Sequence, residues 1–179
     1  MLKEQIEKYI PINEQEKKDK EFMLKVFEDF DDVLTRENEY VHFTSSAFVV
    51  NKNRDKVLMI YHNIYNSWGW TGGHADGEED LLSVAIREVE EETSVKNVKV
   101  LNNGEIVAID TLPVAGHVKR GKYVASHTHL SVAYVFEADL LISNPKIIKK
   151  YHYNSDFLAI KKDRTDDWCF EVKDNVIVE

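Results

Sequence analysis

Alternating apolar and polar positions predict several β-strands in the middle of this chain. Phe43–Val50 and Lys56–Tyr61 are apolar-rich segments on either side of the polar stretch Asn51–Asp55, a pattern typical of a β-hairpin. Val98–Thr111 is a further extended segment with a turn at Asn102–Gly104. Tyr123–Glu137 is the longest strand candidate.

Helical patterns dominate the first forty residues. Leu2–Ile10 has helical periodicity and is followed by Pro11, which cannot continue a helix. Asn13 is a suitable N-cap for a second helix, which we expect to end at about Phe27 or Phe30. We expect residues 1–40 to form a helical extension packed on the core that follows.

The long strand candidate places two histidines on one face. Leu130 and Val132 alternate with His127 and His129, so that the histidines share the opposite face. Two histidines at positions i and i+2 can bind a transition metal. Neither a cysteine nor a third histidine follows at close spacing, which favours packing or substrate contact for His129.

One strongly patterned helix is predicted from about Asp80, after a glycine-containing loop. At about 100° per residue, its apolar side chains fall on one arc and its charged side chains on another. The apolar arc holds Leu82, Ala85, Ile86 and Val89, and the charged arc holds Arg87, Glu88, Glu91 and Glu92. Clustered carboxylates on one helix face repel one another. A hard divalent cation with oxygen ligands would relieve that repulsion.

The segment Gly73–Val95 resembles the signature motif of the Nudix hydrolases, the Nudix box. The matching positions, in register, are Gly73, Glu79, Arg87, Glu88, Val89, Glu91, Glu92 and Val95. The one departure is Ser94, where the family pattern has glycine. That glycine would hold a left-handed turn after the helix, so the departure concerns the turn and removes no charged residue.

The resemblance implies an α/β protein with a mixed sheet between helices, an α/β/α sandwich. It covers about Phe43–Asp139, and we expect the Nudix domain to span residues 41–179 with an atypical part at residues 140–179. No clean amphipathic helix is visible in that part, where Phe157–Ile160 and Trp168–Val172 look more like short strands. It also implies a hydrolase that uses Mg²⁺ or Mn²⁺ to cleave a pyrophosphate bond. The substrate class would be a nucleoside diphosphate linked to another group, or a related organic pyrophosphate.

The resemblance carries site residues over to this chain. The implied metal ligands are Glu88, Glu91, Glu92, a backbone carbonyl at Gly72 and, less firmly, Glu79. The implied catalytic residues are Glu91, Glu92 and Arg87, the arginine acting to orient the glutamates. The general base stays open among Glu91, Glu92, Glu137 and Asp139.

Substrate contacts are predicted outside the box. Lys119 and Arg120 belong to a local basic cluster in a segment, Val114–Lys122, that we expect to be a loop, where they could contact phosphate or simply be solvated. Trp70, on the strand that enters the site, is a candidate for base stacking, with core packing as the alternative. His129 completes this set.

Composition bounds the remaining possibilities. The net charge of −9 disfavours a general nucleic-acid partner, since such proteins carry a basic patch or stripe. The single Cys169 excludes an internal disulfide framework and, with the lack of a membrane span or signal peptide, favours the cytoplasm. A homodimer is compatible with the sequence. Two alternatives within the fold are an isoprenoid-diphosphate isomerase, for which Cys169 is poorly placed, and a non-catalytic nucleotide-sensing module.

Overall fold

A computed structural model describes residues 1–54, 56–62, 67–119, 121–139 and 168–171. The helices are α1 (Leu2–Lys8), α2 (Glu14–Asp29) and α3 (Leu81–Thr93), with a 3₁₀ turn at Asn102–Gly104. The strands are β1 (Val41–Val50), β2 (Lys56–His62), β3 (Ser67–Gly69), β4 (Thr71–His74), β5 (Lys99–Val100), β6 (Ala108–Val114), β7 (His117–Lys119), β8 (Lys122–Val124), β9 (His127–Glu137) and β10 (Trp168–Glu171). None of the helices in these ranges is long and apolar enough to cross a membrane.

Side-chain caps explain where two of the helices begin. The Asn13 carboxamide oxygen accepts a hydrogen bond from the Glu16 amide at 2.8 Å, which confirms Asn13 as the N-cap of α2. Such a cap contributes on the order of 1 kcal/mol. Asp80 does the same for α3, because its carboxylate accepts from the amide and the hydroxyl of Ser83 at 3.3 and 2.6 Å.

The main sheet is mixed. Its strand order is β10-β2-β1-β9-β5, with β3 paired to β2, β4 to β1 and β6 to β9. The Thr128 amide donates to the Tyr40 carbonyl and, ten residues further along both segments, the Ala138 amide donates to the Val50 carbonyl, each at 2.9 Å. Strands β1 and β9 therefore run parallel, whereas β1–β2, β2–β3, β2–β10, β5–β9 and β6–β9 are antiparallel.

The predicted α/β class with a mixed sheet is confirmed. The predicted hairpin is present as well, with Val49 opposite Leu58 and Val50 opposite Val57. A short strand predicted at Trp168–Val172 corresponds to β10, which pairs with β2. A second one, predicted at Phe157–Ile160, lies outside the described residues.

One local prediction is wrong. Val114–Lys122 was expected to be a loop, but β6 extends to Val114, and β7 and β8 form a second, two-stranded antiparallel sheet. In it His117 lies opposite Val124 and Lys119 opposite Lys122. Exposed hairpins of three residues per strand bury little apolar surface, so their sequences lack the alternation that reveals a core strand. The following strand accordingly begins at His127 and not at Tyr123.

The chain divides into two compact units. The first comprises residues 1–46, 72–85 and 104–134, and the second comprises residues 47–71, 86–103 and 135–179. In the first unit α2 packs on β1 and β6, with the rings of Phe27 and Phe43 stacked at 4.9 Å. In the second unit Val49, Val89 and Phe136 are buried completely, and Phe48 packs against Trp70. The boundary predicted at residue 40 stays a prediction.

Candidate active site

Gly72 lies where β4 passes close to β1. A β-carbon at this position would lie 2.6 Å from the Ser45 carbonyl oxygen and 3.0 Å from the Ser46 hydroxyl oxygen. No side chain fits at such distances, so glycine is required here by the close approach of two backbones. The same residue was predicted to offer a carbonyl ligand, and that role stays a prediction.

Helix α3 gathers the predicted carboxylates around one guanidinium group. In the second unit, Arg87 Nη2 lies 3.9 Å from Glu88 Oε1, and Arg87 Nε lies 3.9 Å from Glu91 Oε1. Both are ion pairs longer than a hydrogen bond. The side chain of Glu88 is 17% exposed and that of Glu91 is 64% exposed, so the helix face runs from a sheltered carboxylate to an open one.

The donor set on this face fits a hard divalent cation. Glu88, Glu91 and the half-buried Glu92 offer only carboxylate oxygens, the ligands that Mg²⁺ and Mn²⁺ prefer. Glu90 faces away from them and forms an ion pair of 2.9 Å with Lys96. Glu90 is therefore engaged with Lys96, whereas Glu88 and Glu91 share Arg87.

Ser94 adopts the left-handed conformation that the family's glycine would adopt. Its φ is +59°, and its amide donates to the Glu90 carbonyl at 2.8 Å. The predicted turn is therefore present. Thr93 helps to hold it, because its hydroxyl donates to the Val89 carbonyl and accepts from the Val95 amide.

The remaining predicted ligands and bases are distributed over both units. Glu79 is exposed in the first unit, in the loop before α3. In the second unit the Glu137 carboxylate forms an ion pair of 3.4 Å with Lys99 on the neighbouring strand β5, and Asp139 follows the end of β9. Which of these groups acts as a base stays a prediction.

The predicted substrate contacts belong to both units. Trp70 belongs to the second unit, where its ring lies 4.8 Å from that of Phe48. Lys119 is exposed at the end of β7 in the first unit, and Arg120 lies outside the described residues. His129 lies on β9 in the first unit, within a set of histidines that the sequence did not reveal.

That set, which we call the histidine cluster, consists of His42, His74, His127 and His129. Its members lie on β1, β4 and β9, and all four belong to the first unit. The ring centroids of the contacting pairs lie 4.9 to 5.2 Å apart. The spacing of His127 and His129 was visible in the sequence, but the pairing of β4 with β1 and of β1 with β9 was not. No third histidine is close to His127 and His129 along the chain, but the fold brings His42 and His74 into contact with them.

Burial lowers the pKa of three members of the cluster, His42, His74 and His129. It lowers the pKa of His129 to about 3, and the neighbouring His74 acts in the same direction. Burial also lowers the pKa of His74 to about 4, with a further contribution from Arg36. The pKa of His42 is lowered by burial as well, against the opposing effect of its hydrogen bond to Asn38. A neutral imidazole keeps one nitrogen lone pair, so His42, His74 and His129 offer acceptors and ligands and not positive charge.

Comparisons with known proteins agree with the motif on α3. The sequence model of the NUDIX domain matches residues 41–145. An RNA pyrophosphohydrolase from Pelagibacter ubique (strain HTCC1062) is 35% identical over 80 residues, which cover 42% of this chain and 51% of that protein. The chain thus matches about half the length of this relative.

Two solved structures are similar in part. A NUDIX family hydrolase from Clostridium perfringens is 26% identical, with a TM-score of 0.41, over 61% of this chain and 76% of that one. The Ap4A hydrolase of C. elegans is 16% identical, with a TM-score of 0.38, over 72% of this chain and 79% of that one.

Proposed function

Because this chain belongs to the NUDIX family, we propose that it is a pyrophosphohydrolase that depends on Mg²⁺ or Mn²⁺. Its substrate would be a nucleoside diphosphate linked to another group, or a related organic pyrophosphate. Water would attack one phosphorus atom, and a phosphate ester would leave.

The observation that carries the proposal is the set of three carboxylates on α3. Glu88, Glu91 and Glu92 occupy the box positions in register, inside the region that matches the family. A helix that served only as a solvated surface would not need three neighbouring like charges, which are mutually destabilising. A bound divalent cation accounts for their retention on one face.

Glu88, Glu91 and Glu92 would hold this ion, which when bound neutralises phosphate charge as the phosphorus is attacked. Arg87 would act as a positioning residue. Its guanidinium lies 3.9 Å from a carboxylate oxygen of each of Glu88 and Glu91, and so it limits how far those side chains can turn away. Exposed ion pairs of this length contribute little to stability, so orientation is the more useful effect.

The general base would come from the chain near the same face. Glu91 and Glu92 belong to α3 itself, whereas Glu137 and Asp139 lie at the end of β9. Glu137 is engaged with Lys99, so using it as a base would require that ion pair to open. Glu91 is likewise engaged, with Arg87, so the choice among the four carboxylates stays open.

The net negative charge of the chain favours a small anionic substrate over a long one. At a net charge of −9, a long polyanion is repelled more strongly than a small one, which can approach with a divalent ion. We therefore propose mononucleotide-derived pyrophosphates first. The relative from Pelagibacter is named as an RNA pyrophosphohydrolase, so an RNA with a 5′-triphosphate is the comparison substrate.

A substrate panel tests the proposal directly. The full chain would be incubated with nucleoside-diphosphate sugars, dinucleoside polyphosphates, ADP-ribose and a 5′-triphosphorylated RNA, each with Mg²⁺, with Mn²⁺ or with excess EDTA. We expect release of phosphate esters from at least one compound, abolished by EDTA and restored by either ion. Full turnover in excess EDTA would contradict the metal dependence. Inactivity on the whole panel, with isomerisation of an isoprenoid diphosphate instead, would contradict the hydrolase.

A further inference from the structure

We propose that His42, His74 and His129 form a second metal site, selective for Zn²⁺ or a similar first-row transition ion. One ligand atom from each of the three residues lies within 4.8 Å of the other two. The site is chemically distinct from the carboxylates of α3 and does not depend on the proposed hydrolase activity. Imidazole nitrogens suit Zn²⁺, Ni²⁺ and Cu²⁺, whereas Mg²⁺ prefers oxygen.

The spacing of the three ligand atoms is close to what such an ion needs. Zinc–nitrogen bonds of about 2.0–2.1 Å in a tetrahedron place neighbouring ligand nitrogens about 3.3 Å apart. The separations here, all within 4.8 Å, therefore have to shrink by about 1.5 Å at most. Rotation of imidazole rings about their side-chain torsions supplies movements of this size without displacement of the strands.

His42 presents a buried nitrogen without a hydrogen-bond partner among the residues that the structure describes. Its Nδ1 lies 2.9 Å from the Asn38 carbonyl oxygen, and since a carbonyl can only accept, Nδ1 carries the proton. In the neutral ring Nε2 is then the atom with the lone pair. The residue is 4% exposed, and Nε2 makes no hydrogen bond to any described part of the chain. Buried polar atoms normally have a partner, and a metal ion would supply one.

The residues around His42 hold it as a metal ligand is usually held. A ligating histidine commonly donates its other ring N–H to a carbonyl, which fixes the tautomer and the ring orientation. Asn38 provides that carbonyl, and its own side chain donates to the Asp32 carboxylate at 2.8 Å and accepts from the amides of Tyr40 and Val41. The Nδ1 contact of His42 is therefore anchored to an ordered turn.

His127 acts as a positioning residue for His129. Its Nδ1 lies 2.9 Å from the Ala125 carbonyl oxygen and so carries the proton, which leaves Nε2 as an acceptor. This Nε2 lies 3.1 Å from His129 Nε2, a hydrogen bond that sets the ring of His129. The three ligands and this neighbour belong to one compact unit, and none of them lies on α3.

Three histidines leave one position of a tetrahedral ion open. Structural zinc sites are closed by four protein ligands, whereas sites with three keep a position for water or another small ligand. His74 and His129 are half-buried, whereas His42 is buried. We infer that the open position is reached from the side of His74 and His129.

Titration calorimetry with Zn²⁺ on the full chain tests the site. Metal would first be removed with EDTA and dialysis, and Mg²⁺ would be kept in excess so that oxygen sites are occupied. We expect one equivalent of Zn²⁺ to bind, with affinity lowered by about 10–100-fold or more in His74→Gln and His129→Gln. His117→Gln is the matched control, since His117 neighbours His127 at 6.5 Å but lies outside the three ligands. Zn²⁺ binding that is absent, or is unchanged in both ligand variants, would overturn the proposal.

A second measurement uses the unaltered protein, so that misfolding of a variant cannot affect the result. Diethyl pyrocarbonate would be applied with and without one equivalent of Zn²⁺, and the modified histidines identified by mass spectrometry. We expect Zn²⁺ to protect His74 and His129 while His117 is modified equally in both samples. Equal modification of His74 and His129 with and without Zn²⁺ would refute the site.

Discussion

His127 and His129 are joined by a hydrogen bond of 3.1 Å between their Nε2 atoms, across two positions of one strand. Side chains at i and i+2 share a strand face, so the contact itself follows from local geometry. The partial burial of the two rings does not follow from local geometry. It arises because His42 and His74 reach the same face from two other strands. The histidine cluster therefore combines one local contact, between His127 and His129, with tertiary contacts to His42 and His74.

The depressed pKa values make stability depend on pH. An unfolded histidine titrates near 6.5, whereas the pKa of His129 is lowered to about 3 and that of His74 to about 4. Between these limits the unfolded chain binds protons that the folded chain does not, so the free energy of unfolding falls as the pH falls. This stability is fully present above pH 6.5. We expect the urea midpoint, measured in EDTA, to decrease between pH 7.5 and pH 5.

His129→Gln removes one of these titrating groups and should flatten that decrease. The quantity to compare is the slope of the urea midpoint against pH, since the substitution also changes stability at every pH. An identical slope in the parent and in His129→Gln would show that His129 does not contribute to the pH dependence.

Ser94→Gly should stabilise the protein. Ser94 has φ of +59°, a region that glycine enters without the steric cost of a β-carbon. The gain is limited to about 1 kcal/mol, because glycine also increases the entropy of the unfolded chain. Denaturant titration measures it, and turnover should be unchanged. A clear loss of stability would mean that the Ser94 side chain contributes more than its backbone conformation costs.

Much of the helical structure could be predicted because its signals are local. Pro11 and the Asn13 cap act over one or two turns, and the three helices lie where they were expected. The apolar arc of α3 was predicted only in part: Ala85 and Val89 are buried, but Leu81 and Val84 are buried in place of Leu82 and Ile86, which are half-buried. The turn at Ser94 follows from a single position in a motif. Strand boundaries could be approximated for the same reason.

The histidine cluster and the β7–β8 hairpin were beyond that kind of inference. His42 and His74 are separated by 32 positions in the sequence and reach one cluster only because β1 pairs with β4 and with β9. No periodicity within either segment reports that pairing. The second sheet was not predicted from the sequence because Val118 and Tyr123 are exposed, so the apolar side chains of this hairpin do not mark a core face.

Lys119 offers a test of substrate contact with an internal control. Lys119 and Lys122 lie opposite each other in the β7–β8 hairpin, and the positive charge of Lys119 contributes to lowering the pKa of His74 and His129. If Lys119 contacts a substrate phosphate in the ground state, Lys119→Ala should raise KM several-fold and leave kcat nearly unchanged. Lys122→Ala should leave both within about twofold. Equal effects of the two substitutions would contradict a specific contact.

The carboxylate face of α3 carries the central claim, and Glu90 provides its matched control. Glu90, Glu91 and Glu92 are consecutive, but Glu90 points about 100° away from Glu91 and is paired with Lys96. Glutamine preserves side-chain size and removes one charge. In the absence of divalent ions, Glu91→Gln and Glu92→Gln should not lose stability, because a like-charge repulsion is relieved.

The most direct measurement is steady-state kinetics of Glu90→Gln, Glu91→Gln and Glu92→Gln on a hydrolysed pyrophosphate substrate with saturating Mg²⁺. We expect a loss in kcat on the order of 10²–10⁴-fold for Glu91→Gln and Glu92→Gln. We expect activity within a few-fold of the parent for Glu90→Gln. Equal damage at Glu90 and Glu91 would contradict the assigned helix face and the active site built on it.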